Sequence, residues 1–220
     1  MKSKIAVVTG ATGGMGTEIV DNLSTDHHVY ALSRSASGHF ADNPNVTAVD
    51  VDLVEALDGG YPLPNLEKVD VLVHAAAGAE KFSVESAGIE DWRFYMDLNV
   101  HAPAVLTATL LPALRAAGGT VIFINSGAGR HSYADNVVYA STKHALYAVA
   151  DSLRLAEEEI RVSTVAPGPT DTPMLAGLMD YKKDEVIAPV EVANAIRYVV
   201  DAGKSAQITE VHVRPRVELK

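Results

Sequence analysis

The chain has 220 residues, of which 48% are hydrophobic and 21% charged, a balance that is typical of a soluble globular protein. Its formal net charge of −10 argues against a general nucleic-acid-binding or anionic-membrane surface. There is no cysteine, so disulfides and thiolate metal sites are excluded. We find no repeat or linker, and we expect a single domain over residues 1–220.

The sequence gives no indication of export or of a membrane span. Residues 1–4 lead directly into a strand-like run, without the hydrophobic region of a signal peptide. The most apolar long segment, residues 98–114, contains Asn99, His101 and two prolines, so we expect it to fall short of a membrane span. We therefore expect a cytoplasmic protein with no nucleic-acid or membrane partner.

The chain begins with a predicted strand, a glycine-rich loop and a helix. Residues 5–9 are apolar and β-branched, residues 10–16 contain four glycines, and residues 17–23 show helical spacing. This order places backbone N–H groups and a helix N-terminus against a pyrophosphate. The predicted dinucleotide contacts in this loop are Gly10, Thr12, Gly14, Met15 and Gly16.

The second strand, residues 28–32, ends in Ser33 and Arg34 with no acidic residue beside them. An acid here would bind ribose hydroxyls, whereas an arginine can hold a 2′-phosphate. Ser33 and Arg34 are therefore candidate cofactor contacts that favour NADP(H) over NAD(H). The alternative is that Arg34 is an ordinary surface residue.

The third and fourth strands are predicted over residues 46–50 and 69–73. Asp52 and Leu53 follow the third strand, where Asp52 would contact the adenine edge or simply start a loop. The fourth strand runs into His74 and the small residues Ala75, Ala76 and Ala77, which would let a flat cofactor lie close to the backbone. We interpret His74 as a packing or hydrogen-bonding residue and predict no metal site.

Residues 90–117 show helical spacing, and we expect Pro103 and Pro112 to kink this helix or to shift its hydrogen bonding. Asn99 is polar in an otherwise apolar part of it. It is either a satisfied core amide or a residue that binds an ordered water in a proton path.

A strand over residues 120–124 delivers Ser126, and a helix over residues 135–159 carries Tyr139 and Lys143. Four residues make about one helical turn, so the phenol and the ammonium share one face. An ammonium beside a phenol lowers the phenol pKa. The pair is common by chance, but its position downstream of a dinucleotide loop makes it a candidate catalytic pair.

A sixth strand over residues 161–165, a helix over residues 189–201 and a seventh strand over residues 208–213 complete the chain. The alternation predicts an α/β fold, a Rossmann-type doubly wound sheet of about seven parallel strands with helices on both faces.

Taken in order, these motifs resemble those of the short-chain dehydrogenase/reductase family, in its compact single-domain branch, over nearly the whole chain. The residues that carry the resemblance are Thr9, Gly10, Gly14, Gly16, Asp52, Leu53, Asn99, Ser126, Tyr139, Lys143, Pro167, Gly168 and Thr172. The family's Asn-Asn-Ala-Gly after strand four is replaced by residues 74–77, so we expect His74 to take over part of the missing hydrogen bonding. The C-terminus also lacks the family's common glycine-rich ending.

The resemblance implies reversible, NADP(H)-dependent interconversion of a carbonyl compound and its alcohol. Tyr139 would be the general acid or base, Ser126 would position the substrate oxygen, and Lys143 would lower the tyrosine pKa and hold the nicotinamide ribose. Asn99 would connect Lys143 to solvent through a water. The closing segment would contribute the cofactor contacts Pro167, Gly168, Thr170 and Thr172.

Two other functions use the same features. An epimerase or dehydratase can share the Tyr-x-x-x-Lys pair, although such relatives usually carry an added substrate domain. A non-catalytic NADP(H)-sensing regulator is expected to have a damaged Ser/Tyr/Lys set, which is intact here.

The substrate lid is predicted after the sixth strand. An apolar lid fits a hydrophobic carbonyl compound, although its helix could instead pack on the core. Its candidate residues are Pro173, Met174, Leu175, Leu178, Met179 and Tyr181, with His131, Ser132 and Tyr133 opposite. A homodimer or homotetramer is expected, because the two long helices carry more apolar residues than one buried stripe needs.

Overall fold

The computed structural model describes residues 4–217, which form one seven-stranded sheet flanked by helices. The strands are β1 Lys4–Thr9, β2 His27–Ser33, β3 Val46–Asp50, β4 Val71–His74, β5 Thr120–Ile124, β6 Arg161–Pro167 and β7 Glu210–Val213. Their order in the sheet is β3-β2-β1-β4-β5-β6-β7, and all neighbours are parallel. The predicted doubly wound α/β fold is confirmed. Residues 1–3 and 218–220 of the predicted domain lie outside the described residues.

Helices connect the strands. They are α1 Gly14–Leu23, α2 Ser37–Phe40, α3 Ala56–Gly59, α4 Ile89–Met96, α5 Ala102–Ala117, α6 Val137–Ala156, α7 Pro173–Leu178 and α8 Pro189–Val200. Short 3₁₀ turns occur at Gly127–Gly129 and Lys183–Glu185.

The sheet is covered on both faces, which explains why its central strands are continuous apolar runs. Helices α1 and α8 pack on one face through buried residues such as Ile19 and Ile196. Helices α5 and α6 pack on the other through residues such as Leu106 and Leu146. Burying one such side chain contributes about 1.5–3 kcal/mol, and β5 is buried along its whole length.

Strand β1 lies between β2 and β4, so the chain crosses over from one side of β1 to the other. In a doubly wound sheet this reversal opens a crevice outside the carboxyl ends of the strands. The loops that follow β1, β2 and β4 therefore meet at one edge of the sheet.

The long helix predicted over residues 90–117 contains a π-helix at Asp97–His101. In an uninterrupted α-helix the N–H of residue 103 would bond to the carbonyl of Asn99, and Pro103 has no N–H. The N–H of Ala102, one residue earlier, bonds to the carbonyl of Asp97, five residues before it, rather than to the carbonyl four residues before it. This is the wider spacing of a π-turn. Of the two effects expected at Pro103, the structure shows the shifted hydrogen bonding, in the form of a π-helix. Pro103 itself leaves the Asn99 carbonyl without its α-helical donor.

Contrary to our expectation for residues 98–114, the continuous helical stretch Ile89–Ala117 is long and apolar enough to cross a membrane, by length and composition alone. In the fold its apolar side is used against the sheet, where Leu106, Leu110 and Leu114 are buried. Our expectation gave too much weight to the polar residues and prolines of this segment, because most of its other residues are apolar and several of them pack in the core.

His74 is a buried residue that packs and hydrogen-bonds at the end of β4. Its Nε2 lies 2.8 Å from the Thr107 hydroxyl, and its ring stacks on Phe123 with the centroids 4.9 Å apart. Within residues 4–217, Nδ1 has no hydrogen-bond partner. Burial lowers the pKa of His74 from 6.5 to about 3, so the ring is neutral near neutral pH.

We expect His74 to contribute to acid unfolding. The folded state keeps the ring neutral, whereas the unfolded chain takes up a proton below the ordinary pKa of 6.5, so stability falls as the pH drops from 6.5 towards about 3. One proton corresponds to about 1.4 kcal/mol per pH unit. Urea unfolding from about pH 6 to about pH 4.5 should show this extra slope in the wild type relative to His74→Asn. Parallel pH curves for the two proteins would contradict the account.

Candidate active site

Three residues of the predicted site meet where β5 ends beside α6. Ser126 lies two residues after the end of β5, and its hydroxyl accepts a hydrogen bond of 3.2 Å from the N–H of Ala128. Tyr139 and Lys143 lie in the first two turns of α6 on one helix face. The Ser126 side chain lies close enough to Tyr139 to lower the pKa of the phenol. The spacing in the sequence therefore corresponds to a real cluster in space.

Lys143 is almost completely buried, with 2% of its surface exposed. Its ammonium donates a hydrogen bond of 2.9 Å to the carbonyl of Ile124 and lies 5.6 Å from the centre of the Tyr139 ring. Burial lowers the pKa of Lys143 to about 8. An ammonium has three donors, so the bond to Ile124 leaves two for other acceptors.

The pKa of Tyr139 differs from our expectation. Burial raises the pKa of Tyr139 above its ordinary value of 10.0, and the hydrogen bond with Ser126 lowers it only in part. We expected Lys143 to lower this pKa, but its ammonium is bound to the strand carbonyl of Ile124. Desolvation is the larger cause of the shift, and Lys143 is not among its causes.

Asn99 joins three segments around the cluster. Its Oδ1 accepts from the N–H of Gly78 at 2.8 Å, and its Nδ2 donates to the carbonyl of Gly78 at 2.9 Å and to the Thr142 hydroxyl at 3.0 Å. Thr142 in turn donates to the carbonyl of Tyr139 at 2.8 Å. The side chain of Asn99 is therefore a satisfied core amide, the first of the two alternatives given above. A water could bind only to its backbone or to the remaining lone pair of Oδ1.

The glycine loop is shaped by close contacts. Gly10 has φ +64°, and a Cβ there would lie 2.6 Å from the backbone of Ala76. A Cβ at Gly16 would lie 2.0 Å from the carbonyl oxygen of Gly10. Only glycine fits at these two positions. Helix α1 begins at Gly14, three residues before the predicted start.

A cavity of about 580 Å³ lies between this loop and the ends of β2, β3 and β4. Most of the predicted cofactor residues line it: Gly10, Thr12, Gly14, Met15, Gly16, Ser33, Arg34, Asp52, Leu53, Ala75, Ala76, Ala77 and Thr172. The alanines and glycines leave backbone exposed to the cavity, as a dinucleotide needs. The cavity thus fits a dinucleotide, as the glycine-rich loop predicts.

The remaining predicted residues lie outside this lining set. They are Asn99, Ser126, Tyr139, Lys143, Pro167, Gly168 and Thr170. Pro167 ends β6, and Thr172 caps α7 by accepting from the N–H of Leu175 at 3.3 Å. A Cβ on Gly14 would lie 2.8 Å from the Thr172 methyl, so the base of the lid sits directly on the glycine loop.

Some residues that line the cavity were missed by sequence reasoning, notably Phe94, Tyr95 and Leu98 on one side of the α4 region. In the sequence they lie in the segment 90–117, for which we predicted a helix and no cofactor contact. The Tyr95 hydroxyl donates to Glu80 at 3.1 Å, and burial together with Glu80 raises the pKa of Tyr95 to about 12. Tyr95 therefore stays protonated near neutral pH, and its aromatic ring lines one side of the cavity.

The end of β2 presents polar groups to the cavity. The Thr12 hydroxyl donates to Ser33 Oγ at 3.1 Å, and the N–H of Ser35 donates to the same oxygen at 3.3 Å. Arg34 is exposed, and no ion pair holds it among residues 4–217. Asp52 accepts from the N–H of Val54 at 2.8 Å, so it begins a turn as well as lining the cavity. Within the described chain, no His, Asp and Glu side chains are grouped as a metal site.

Comparisons with known proteins agree with this geometry. The model of the short chain dehydrogenase family matches residues 4–183. An uncharacterized oxidoreductase of Staphylococcus epidermidis is 28% identical, with 98% of each chain covered. A crystal structure from Corynebacterium glutamicum, of a protein assigned to the short-chain dehydrogenases/reductases, is 45% identical with a TM-score of 0.76 and covers 97% of this chain and 100% of that one.

The alcohol dehydrogenase of the archaeon Thermococcus sibiricus, in complex with 5-hydroxy-NADP, has the same fold. Its TM-score is 0.86 at 22% identity, with 99% of this chain and 98% of that chain covered. Since the family match extends over most of the length, this chain belongs to the short-chain dehydrogenase/reductase family of oxidoreductases.

Proposed function

We propose that this protein is an NADP(H)-dependent oxidoreductase that interconverts a carbonyl compound and its alcohol. The observation that carries the proposal is the cluster of Ser126, Tyr139 and Lys143 at the end of β5, on the same sheet edge as the dinucleotide cavity. When bound, the nicotinamide would supply or accept the hydride.

Tyr139 is the proposed proton donor to the carbonyl oxygen, and its phenolate is the base in the reverse direction. The raised pKa of Tyr139 suits the acid role, because the phenol keeps its proton near neutral pH. Ser126 is close enough to affect the pKa of Tyr139, and a substrate oxygen placed between the two hydroxyls would be both positioned and polarised.

Lys143 would use its two remaining donors to hold the nicotinamide ribose and to lower the Tyr139 pKa in the complex. Its own pKa of about 8 leaves most of the population charged at neutral pH. Asn99 would connect Lys143 to solvent through a water. The π-helix supports this role, because Pro103 removes the α-helical donor of the Asn99 carbonyl.

The cofactor preference rests on Arg34, with Ser33 and Thr12 beside it. A guanidinium and hydroxyl groups are suited to a 2′-phosphate, and NAD(H) would lack that charged partner. Pro167, Gly168, Thr170 and Thr172 are proposed to border the nicotinamide.

A hydrophobic carbonyl compound is the proposed substrate class. Helix α7 has no buried residue, so its Met174, Leu175 and Leu178 are available to a ligand rather than committed to the core. We also propose a homodimer or homotetramer, because Phe94, Val105 and Leu155 are exposed by 47%, 41% and 86%.

The proposed function is tested by a panel of aldehydes and ketones offered with NADPH and with NADH. We expect at least one hydrophobic carbonyl compound to be reduced with NADPH. Tyr139→Phe should lower kcat about 100-fold or more, since it removes the proton donor, while NADPH affinity stays within about threefold because no charged contact is lost. Wild-type turnover by Tyr139→Phe, or NADPH binding with no turnover across the panel, would overturn the proposal.

Arg34 is expected to discriminate between the two cofactors. Arg34→Ala should weaken NADPH binding about tenfold, the effect of losing one solvent-exposed charge-assisted contact, and should leave NADH binding unchanged. Arg93→Ala is the matched control, because Arg93 is an exposed arginine of α4 that pairs with Glu90 and does not line the cavity. Titration calorimetry reads both affinities, and an equal loss for NADPH and NADH would remove Arg34 as the determinant.

A further inference from the structure

Asn125 lies between β5 and Ser126, and its backbone N–H and both polar atoms of its side chain are hydrogen-bonded. It is 2% exposed, and its backbone N–H donates to the carbonyl of Val165 at 2.8 Å. Its Oδ1 accepts from the N–H of Ser126 at 2.9 Å, and its Nδ2 donates to the carbonyl of Lys143 at 3.1 Å. One buried amide thus contacts the backbone of two residues of the cluster.

A second bond runs between the same two segments in the opposite direction. The side chain of Lys143 donates to the carbonyl of Ile124 at 2.9 Å, while the side chain of Asn125 donates to the carbonyl of Lys143 at 3.1 Å. Strand end and helix turn are therefore joined by two crossing hydrogen bonds. Such a pair restrains both the distance and the rotation of α6 relative to Ser126.

The turn after Ser126 is packed directly on this amide. A Cβ on Gly129 would lie 2.6 Å from Asn125 Oδ1 and 2.7 Å from the Tyr147 ring. The backbone of the 3₁₀ turn Gly127–Gly129 therefore approaches the amide as closely as glycine allows. Because the N–H of Ala128 in this turn donates to Ser126 Oγ, the position of the turn also sets the direction of that hydroxyl.

We propose that Asn125 is a positioning residue that sets the separation and orientation of the Ser126 hydroxyl relative to Tyr139 and Lys143. This inference rests on the proposed function of that cluster in carbonyl reduction. Asn125 does not line the dinucleotide cavity, so its action is exerted through its neighbours.

Loss of the amide should affect Ser126 more than Lys143. The carbonyl of Lys143 keeps its helical bond from the N–H of Tyr147, whereas the N–H of Ser126 is left without its acceptor. A displaced Ser126 is less able to donate to the Tyr139 phenolate, and Ser126 is the group that opposes the raised pKa of the phenol. Asn125→Ala should therefore raise the ionisation midpoint of Tyr139.

The test measures tyrosinate absorbance against pH in the NADP⁺ complex, subtracting the same protein with Tyr139→Phe. In Asn125→Ala we expect the Tyr139 midpoint to rise by about half a pH unit or more, since a hydrogen bond to the charged form is lost. On the carbonyl substrate from the panel, kcat should fall about tenfold to hundredfold, as for a small misplacement of a reacting group. NADPH affinity should stay within about threefold, because the cavity is untouched.

The matched control is Ser163→Ala. Ser163 is 1% exposed and donates to the carbonyl of Ile208, on strand β6 and outside the cavity and the cluster. The Ser163→Ala variant loses a comparable buried hydrogen bond from a side chain to the backbone, so its free energy of unfolding should drop. Its Tyr139 midpoint and its kcat should remain those of the wild type. If Asn125→Ala does not fold, Asn125→Leu, which keeps a similar size but removes the acceptor for the Ser126 N–H, should also raise the midpoint and lower kcat.

A folded Asn125 variant with unchanged midpoint and unchanged kcat would overturn the positioning role. So would equal effects in Ser163→Ala. Because the midpoint needs no turnover, a raised midpoint in a protein whose Tyr139→Phe variant keeps full activity would support the positioning role and refute the proposed function.

Discussion

The burial of one ammonium group, that of Lys143, is the constraint on which the site depends. Among residues 4–217 it is the only Lys, Arg, Asp or Glu in the buried set. A buried charge is costly unless it is hydrogen-bonded, and the carbonyl of Ile124 meets that need at 2.9 Å. Burial still lowers its pKa to about 8. Perturbed groups of this kind concentrate at functional sites, where the cost is retained for chemistry.

The segments around Lys143 are held together by polar side chains, each of which makes two or more hydrogen bonds. Asn125 ties the end of β5 to α6, and Thr142 with Asn99 ties α6 to the π-helix and to Gly78. These amides bond mainly to backbone, so they control where whole segments lie. The site is consequently a rigid junction of four chain segments, whereas the lid helix α7 above it has no buried residue.

Most of the fold follows from local patterns in the sequence. Buried parallel strands appear as short β-branched runs, and the glycine loop is determined by contacts that admit no Cβ, so both could be predicted. The sequence does not show that the helix would form a π-turn. Pro103 indicates that one backbone N–H donor is missing, but whether the helix then kinks, breaks or widens depends on the packing around it. Asn125 was missed because the sequence does not show which groups a polar residue at a strand end will contact. Its hydrogen bond to the Lys143 carbonyl forms only when the tertiary fold brings β5 and α6 together.

The account is tested most directly by a crystal structure of the protein with NADP⁺. We predict the pyrophosphate at the loop Gly10 to Gly16, the 2′-phosphate beside Arg34, and the nicotinamide facing the Tyr139 hydroxyl with Lys143 on its ribose. A nicotinamide bound away from Tyr139, or a complex in which Lys143 stays on Ile124 and makes no contact with the cofactor, would contradict the account.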